Sequence, residues 1–405
     1  MPAIVEFPTL VQELINAYGD LFVNEPERRH FGEYLTGLLV ADRKSVRGIN
    51  SEFAVTTDQS CLNRWITAVG WEEQQLNARR LQDLQREPST RYSAQGVIPI
   101  DNTLIDHAGE LIEDVGKFWD HADQRYLIAH DYLIANYVCA SGKHYPLEFR
   151  RFRKRAECEA DGTPFRDHTA LFQELVDWVV AQEIPGDFTF DIYFTHAANL
   201  NYIEQHQRTY VGDLKFNRKL IFQGRELKAS EVAALIPPED RKPIDLDGRR
   251  QYYFTKTVRI PQVDHRVRLI ILWKHQDDVA PRKMLITNRT RWDVTRALRV
   301  YRKRWTGTEP FHRDGKQHLG MGDCQLRKGH SQTRPMYLVF LVYSHIITHL
   351  QHDRAQEWAA VRLQTVGEAC RAALRETLSK TLDWVLQRAT DGWTPLQIKT
   401  HLALP

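Results

Sequence analysis

Between Val97 and Asn288 the hydrophobic pattern alternates between strand-like and helix-like periods, and the order of those changes restricts the fold more than any other feature. Val97-Ile98-Pro99-Ile100-Asp101 is a short apolar run ending in an acid. His130 to Ala140 and His144 to Phe152 are β-rich runs separated by Ser141-Gly142-Lys143, which predicts a hairpin beside the first strand. Asp167 to Gln182 predicts a helix with Leu171, Leu175, Trp178 and Val179 on one face, stopped by Pro185-Gly186. Phe188 to Phe194 reads as the next strand and carries Asp191; a helix near Ala198 to His206 and a strand at Tyr210 to Leu214 follow. Later, Lys283 to Thr287 resumes a core strand, and Asp293 to Trp305 and Thr308 to Leu319 read as two helices, with Thr308 capping the second. This order describes an α/β fold: a mixed sheet with an antiparallel start, whose first and fourth strands are central neighbours.

The flanks differ. Residues 1–90 are expected to form a helical domain, with Phe31, Tyr34, Leu35, Leu38 and Leu39 on one face and Asp58 or Ser60 capping a helix that carries Leu62, Trp65, Ile66 and Val69. Arg43, Lys44, Arg47, Asn63 and Arg64 decorate it, and a small basic helical domain of this kind either docks on DNA or serves as scaffolding. The core is expected over 91–351. Within it, 215–282 has the Pro237-Pro238, Pro243 and Asp247-Gly248 breaks and alternating runs of a β-rich insertion. Residues 352–405 read as C-terminal helices, and Thr365 with Glu368 forms a plausible capping box.

Composition narrows the class without deciding it. The 405 residues are 42% hydrophobic and 26% charged, ordinary for a globular chain. A net charge of +3 neither demands nor excludes nucleic acid, so the distribution of charge has to decide. The five cysteines are scattered and form no C-x-x-C pair, which points to a reducing compartment rather than a disulfide framework. Met1 to Phe7 lacks the basic start and apolar run of a secretory leader. Met336 to Leu350, the longest apolar stretch, is broken by His345, Thr348 and His349 and reads as a buried helix, so no membrane partner is expected.

The chemistry concentrates in three acids and one basic run. Asp101 ends the first strand, Asp191 lies on the fourth, and Glu309 sits among Tyr301, Arg302, Lys303, Arg304, Trp305, His312, Arg313 and Lys316. Three gathered carboxylates repel one another unless a cation joins them. Mg²⁺ accepts a few carboxylates plus water and phosphate oxygens, and a pair of such ions activates a hydroxyl while stabilising a leaving oxygen. The surrounding cations suit a phosphate backbone. The bland alternative is a solvated helix whose Glu pairs with neighbouring Arg or Lys.

With Tyr301, Arg304, Glu309 and Lys316 in that order, the chain resembles the DDE-type insertion-sequence transposases. That family carries a Tyr-x2-Arg-x3-Glu-x6-Lys signature around its last acid. The first and last spacings match; between Arg304 and Glu309 this chain has one residue more than the pattern. Ile100-Asp101-Asn102-Thr103 is similar to the family's first-Asp strand, Phe190-Asp191 less specifically to its second, and the resemblance extends over Val97 to Gln351. It implies an RNase H-like core in which Asp101, Asp191 and Glu309 are catalytic and bind two Mg²⁺ ions, with Mn²⁺ as a substitute. Tyr301, Arg304 and Lys316 would contact DNA near the scissile phosphate. The partners implied are double-stranded DNA, at transposon ends and target, and a second copy of the chain in a homodimer. The implied location is cytoplasmic, on the nucleoid. The implied activity is cleavage at terminal inverted repeats and joining of the 3′ ends to target DNA. A DNA-binding descendant that no longer cuts is the alternative; a glycoside hydrolase would need paired acids in a sugar cleft instead of basic runs.

Other candidates carry weaker expectations. Arg313 belongs to the same basic run and is a candidate DNA contact. Phe149-Arg150-Arg151-Phe152-Arg153-Lys154-Arg155 would either track a phosphate backbone, through Arg151 and Arg153, or protect a strand edge with charge. Trp305 would stack on an extruded base or fill core. Asp106 reads as surface, Asp187 as a turn residue, Asp120 and Asp131 as nearby acids, and Asp314 as a fallback for Glu309. His345, His349 and His352 share a spacing that a zinc helix uses, but no Glu follows His345, and packing or capping is the favoured role.

Overall fold

The computed structural model describes residues 3–107, 111–120, 123–350 and 358–402. Five helices lead: α1 (Thr9–Tyr18), α2 (Glu25–Val40), α3 (Val46–Asn50), α4 (Gln59–Thr67) and α5 (Glu73–Arg86). Next come β1 (Val97–Asp106), β2 (Gly116–Asp120), β3 (Arg125–Val138), β4 (His144–Phe152), α6 (Arg155–Asp161), α7 (His168–Ala181), β5 (Asp187–Phe190), α8 (Ala197–Gln205) and β6 (Tyr210–Asp213). The chain continues through β7 (Lys219–Phe222), β8 (Arg225–Lys228), α9 (Ala229–Ala234), β9 (Lys242–Leu246), β10 (Arg249–Val258), β11 (Val267–Trp273) and β12 (Lys283–Thr287). It closes with α10 (Val294–His318), α11 (Thr333–His349), α12 (Val366–Thr390) and α13 (Pro395–His401).

Two compact units result. One comprises residues 1–90, 104–130 and 311–405, the other 91–103 and 131–310. These units do not follow the three sequence segments one for one, because the chain passes between them repeatedly.

In the first unit the helices form where period and caps direct. Asn24 accepts the Glu27 N–H at 3.0 Å to start α2, and Asp58 accepts that of Ser60 at 2.8 Å to start α4. Phe31, Tyr34, Leu35, Leu38 and Leu39 are buried, and Trp65 stacks on Trp71 with centroids 5.3 Å apart. Arg80 on α5 is buried whole; its guanidinium bonds Asn77 and reaches Ser344 on α11 at 2.7 Å. The capping box of Thr365 and Glu368 starts α12. Glu376 on α12 accepts from the Thr9 N–H at 2.9 Å, and Lys380 donates to the Phe7 carbonyl at 2.7 Å. Buried α11 matches the apolar run. No described helix is long and apolar enough to cross a membrane.

The second unit is built on a mixed open sheet. Its strand order is β2-β3-β1-β5-β6-β12-β11-β10-β9, with β4 also paired to β3; β1, β5 and β6 are parallel to one another, and β2 and β4 are antiparallel to β3. The strands expected as the first and fourth, now β1 and β5, are therefore adjacent. Helix α10 covers part of the sheet: Val294, Ala297, Leu298 and Tyr301 pack with Val97, Val138, Val211, Ile270 and Leu285.

Several local expectations change. The first strand does not end at Asp101 but runs to Asp106, so the acid sits mid-strand. The fourth strand stops at Phe190, and Asp187 opens it as a buried residue instead of sitting in a turn. Segment 215–282 is only partly an insertion. β7 and β8 form a separate two-stranded sheet, whereas β9, β10 and β11 extend the main sheet beyond β12. Thr308 caps nothing: α10 is continuous from Val294 to His318, and the Thr308 hydroxyl donates to the Arg304 carbonyl at 2.9 Å inside it. Pro310 lies within this helix. It removes one amide donor, and the helix survives because α10 is anchored to the sheet on the preceding turns.

Candidate active site

Strand pairing brings the two aspartates together. β1 and β5 run parallel with Val97 opposite Asp187, Ile98 opposite Phe188 and Pro99 opposite Thr189. Carried two residues on, this register sets Asp101 level with Asp191, the first residue past the end of β5. Val97, Ile98, Ile100, Phe188 and Phe190 are buried and hold that register against slippage. Asp191 then turns the chain: its Oδ1 accepts the Tyr193 N–H at 2.9 Å and its carbonyl accepts the Thr195 hydroxyl at 2.9 Å. The carboxyl ends of parallel strands are where α/β sheets place ligands.

The electrostatics show the cost of this placement. Asp101 Oδ2 accepts from Arg304 Nη1 at 2.7 Å and Oδ1 from the Asn102 N–H at 3.1 Å. Even so, burial pushes its carboxyl up to about 7; Arg304 opposes the rise, and Asp191 and Glu309 add to it. Burial likewise raises Asp191, with Arg304 again opposing and Asp213 adding. Asp101, Asp191 and Glu309 thus act on a common region, with exposed Glu309 delivered by α10. Among the described residues, the ligand oxygens of the three do not all fall within 4.8 Å of one another. A guanidinium rests on Asp101 instead.

The remaining signature residues divide. Tyr301 is buried; its hydroxyl donates to Asp213 Oδ2 at 3.0 Å and accepts from Lys283 Nζ at 3.0 Å, while Lys283 and Asp213 pair at 2.8 Å. This network ties α10 to β6 and β12. Arg304 is buried, and burial disfavours its charge, but Asp101, Tyr301 and Asp191 hold it protonated. Its Nε has no hydrogen-bond partner among the described residues. Trp305 is 54% exposed, so it is not core, and the Arg304 guanidinium lies 4.8 Å from its ring. Beside it opens a cleft lined by Arg249, Arg250, Lys274, Arg282 and Arg302.

The other expected DNA contacts lie on different elements. Lys316 and Arg313 are exposed on the last turns of α10, and Arg313 pairs with Asp314 at 3.1 Å. Arg153 is engaged by Asp161, and Arg150, in the same basic run, by Glu174 at 3.2 Å; Arg151 is half-buried. Lys44 donates to the Ala41 carbonyl at 2.7 Å and packs against Gly320. Arg43 and Arg64 are exposed. Asp106 is exposed near Arg125, as its polar surroundings suggested. His352 lies outside the described residues.

Sequence reasoning missed one pair. Asp131, buried in β3, lies 2.7 Å from His168 Nε2 and accepts from Asn102 Nδ2 at 3.3 Å. The His168 ring stacks on Phe152, with Tyr193 edge-on at 5.6 Å. The available signal was an acid inside a strand whose neighbours are all buried. No known protein family model matches the chain, and no curated protein matches it.

The donor set fits a hard divalent cation. All three acids offer oxygen only, and Asp101 holds a proton unusually well because burial disfavours its charged form, with Asp191 and Glu309 adding to the rise. Asp101, Asp191 and Glu309 would hold such an ion, with Arg304 sharing or releasing Asp101 Oδ2.

Proposed function

We propose that the chain is a DNA transposase of the DDE type, working by metal-dependent phosphoryl transfer at Asp101, Asp191 and Glu309. The observation that carries this reading is the alignment of Asp101 on β1 with Asp191 just past the end of the adjacent parallel strand β5, with Glu309 close enough to raise the Asp101 pKa. The neighbourhood of β1 and β5 and the flanking order β4-β3-β1 support an RNase H-like core. Mg²⁺, when bound, polarises the scissile phosphate and lowers the pKa of the attacking hydroxyl.

The chain's own groups do the positioning. Asp101 and Asp191 would hold the cation from adjacent strands, with Glu309 reaching it from α10. Arg304, with Nε still to donate, binds a phosphate oxygen and balances charge as it develops. Tyr301, Asp213 and Lys283 set the height of α10 over the sheet, and so the reach of Glu309. The cationic cleft beside Trp305 receives DNA backbone, which a sugar-cleaving site would not need. One observation favours a second reading: the Arg304–Asp101 bond neutralises an acid without any metal, as in a DNA-binding descendant that no longer cuts.

One experiment separates the two. The wild-type chain with its own terminal repeats should nick them only with Mg²⁺ or Mn²⁺. Asp101→Asn, Asp191→Asn and Glu309→Gln should each lower the rate by at least about a hundredfold while leaving end binding within about threefold. Binding without any metal-dependent nicking in the wild type would select the non-cutting reading.

A further inference from the structure

A second cluster of ligating side chains lies in the first unit. His345 and His349 stand one helical turn apart in the last turns of α11, their rings 4.5 Å between centroids. Glu13 on α1 meets them, its Oε2 3.0 Å from His345 Nε2. One ligand atom from each of the three fits within 4.8 Å of the others, the only such group among the described residues. All three are half-buried, with 32% of the Glu13 side chain and 17% of the His345 side chain exposed. Solvent can therefore deliver an ion, while the helices limit how far the ligands stray.

We propose that Glu13, His345 and His349 bind a transition-metal ion of the zinc class. Two imidazoles and one carboxylate form a ligand set that prefers Zn²⁺ over Mg²⁺ or Ca²⁺, since imidazole suits the softer ions. Three protein ligands leave one coordination position for water. Position in the fold adds to the case: the carbonyl end of α11 carries partial negative charge, which favours a cation there.

The site lacks the general base of a zinc protease. Ile346 follows His345, so the general-base glutamate of an H-E-x-x-H helix is missing. What the ion does is join α1 to α11 through bonds stronger than the Glu13–His345 contact. It stabilises the first unit in proportion to its occupancy. The oxygen-only site around Asp101 and this nitrogen-containing site would then select different metals from the same solution.

The test uses the full chain, stripped with chelator and carrying Cys61→Ser to remove the half-buried thiol. Zn²⁺ titrated against a chromophoric chelator should bind at one ion per chain and raise Tm. Co²⁺ should bind with visible d–d bands of low-symmetry coordination. Glu13→Gln and His349→Ala should each weaken Zn²⁺ by at least about tenfold, whereas Asp101→Asn should leave it unchanged. Glu13→Gln removes only a half-exposed carboxylate, so its result does not depend on a variant that fails to fold. Zn²⁺ that leaves Tm unmoved, or binding that survives both ligand substitutions, overturns the proposal.

Discussion

Asp101 carries two opposed demands. It is largely screened from water in a strand, which favours the protonated form, and it faces Arg304, which favours the charged form. Burial wins, and the carboxyl reaches about 7. Because this pKa is raised in the folded chain, the native state holds the proton more tightly than the unfolded one. Stability from this group is therefore present at low pH and lost as pH rises through about 7. A divalent cation held there, as proposed, would add positive charge and reverse the loss. Mn²⁺ should accordingly raise Tm more at about pH 8 than at about pH 5, its apparent affinity falling up to tenfold per unit below the Asp101 pKa. Differential scanning calorimetry at both values, with Asp101→Asn as reference, measures this. A cation effect equal at both, or equal in the variant, would remove Asp101 from the ligand set.

At the scale of elements, α10 decides the site. One helix carries Tyr301 into the Asp213–Lys283 network, Arg304 onto Asp101, Trp305 into solvent and Glu309 toward the acids. Its closeness to the sheet depends on Gly307. A Cβ there would meet Val138 Cγ2 at 2.3 Å and Pro99 Cγ at 3.0 Å, both in strands that frame Asp101. Gly307→Ala should destabilise the second unit by about 1–3 kcal/mol, since overpacking forces backbone to move. It should also lower metal-dependent nicking by more than that loss explains, because lifting α10 withdraws Glu309 and Arg304 together. Urea denaturation beside nicking rates at saturating metal checks both parts. Unchanged stability would show that α10 is not held against the strands at this point.

At the scale of the whole molecule, each compact unit is assembled from separated stretches of chain. The first unit needs its C-terminal residues: Glu376 and Lys380 on α12 engage Thr9 and Phe7 near the start. A chain ended at residue 351 loses those partners and exposes the apolar face they cover. Its residues 1–90 should lose slow hydrogen exchange, while 131–310 keep theirs, as mass spectrometry of exchanged peptides would report. Undiminished protection in α1 and α2 would contradict this.

Much of the fold was legible because alternation and helical period are local. The burial of Leu171, Leu175 and Val179 on α7, the caps at Asp58 and Thr365, and the hairpin of β3 and β4 all follow from residues near one another in the chain. The order of elements likewise led to β1 and β5 as neighbours and to Asp101, Asp191 and Glu309 as candidates. Distance and charge environment were not legible, since they depend on residues hundreds of positions apart. Nothing local to Tyr301 announces that Asp213 and Lys283 will take its hydroxyl, or that Arg304 will rest on Asp101. Nothing near His345 points to Glu13 on the first helix. Sequence alone determined which side chains could ligate and which elements carry them. Tertiary structure alone decided which cations are already paired, which tryptophan meets solvent and which acids share a field, because burial and Coulomb interactions act through space and not along the chain.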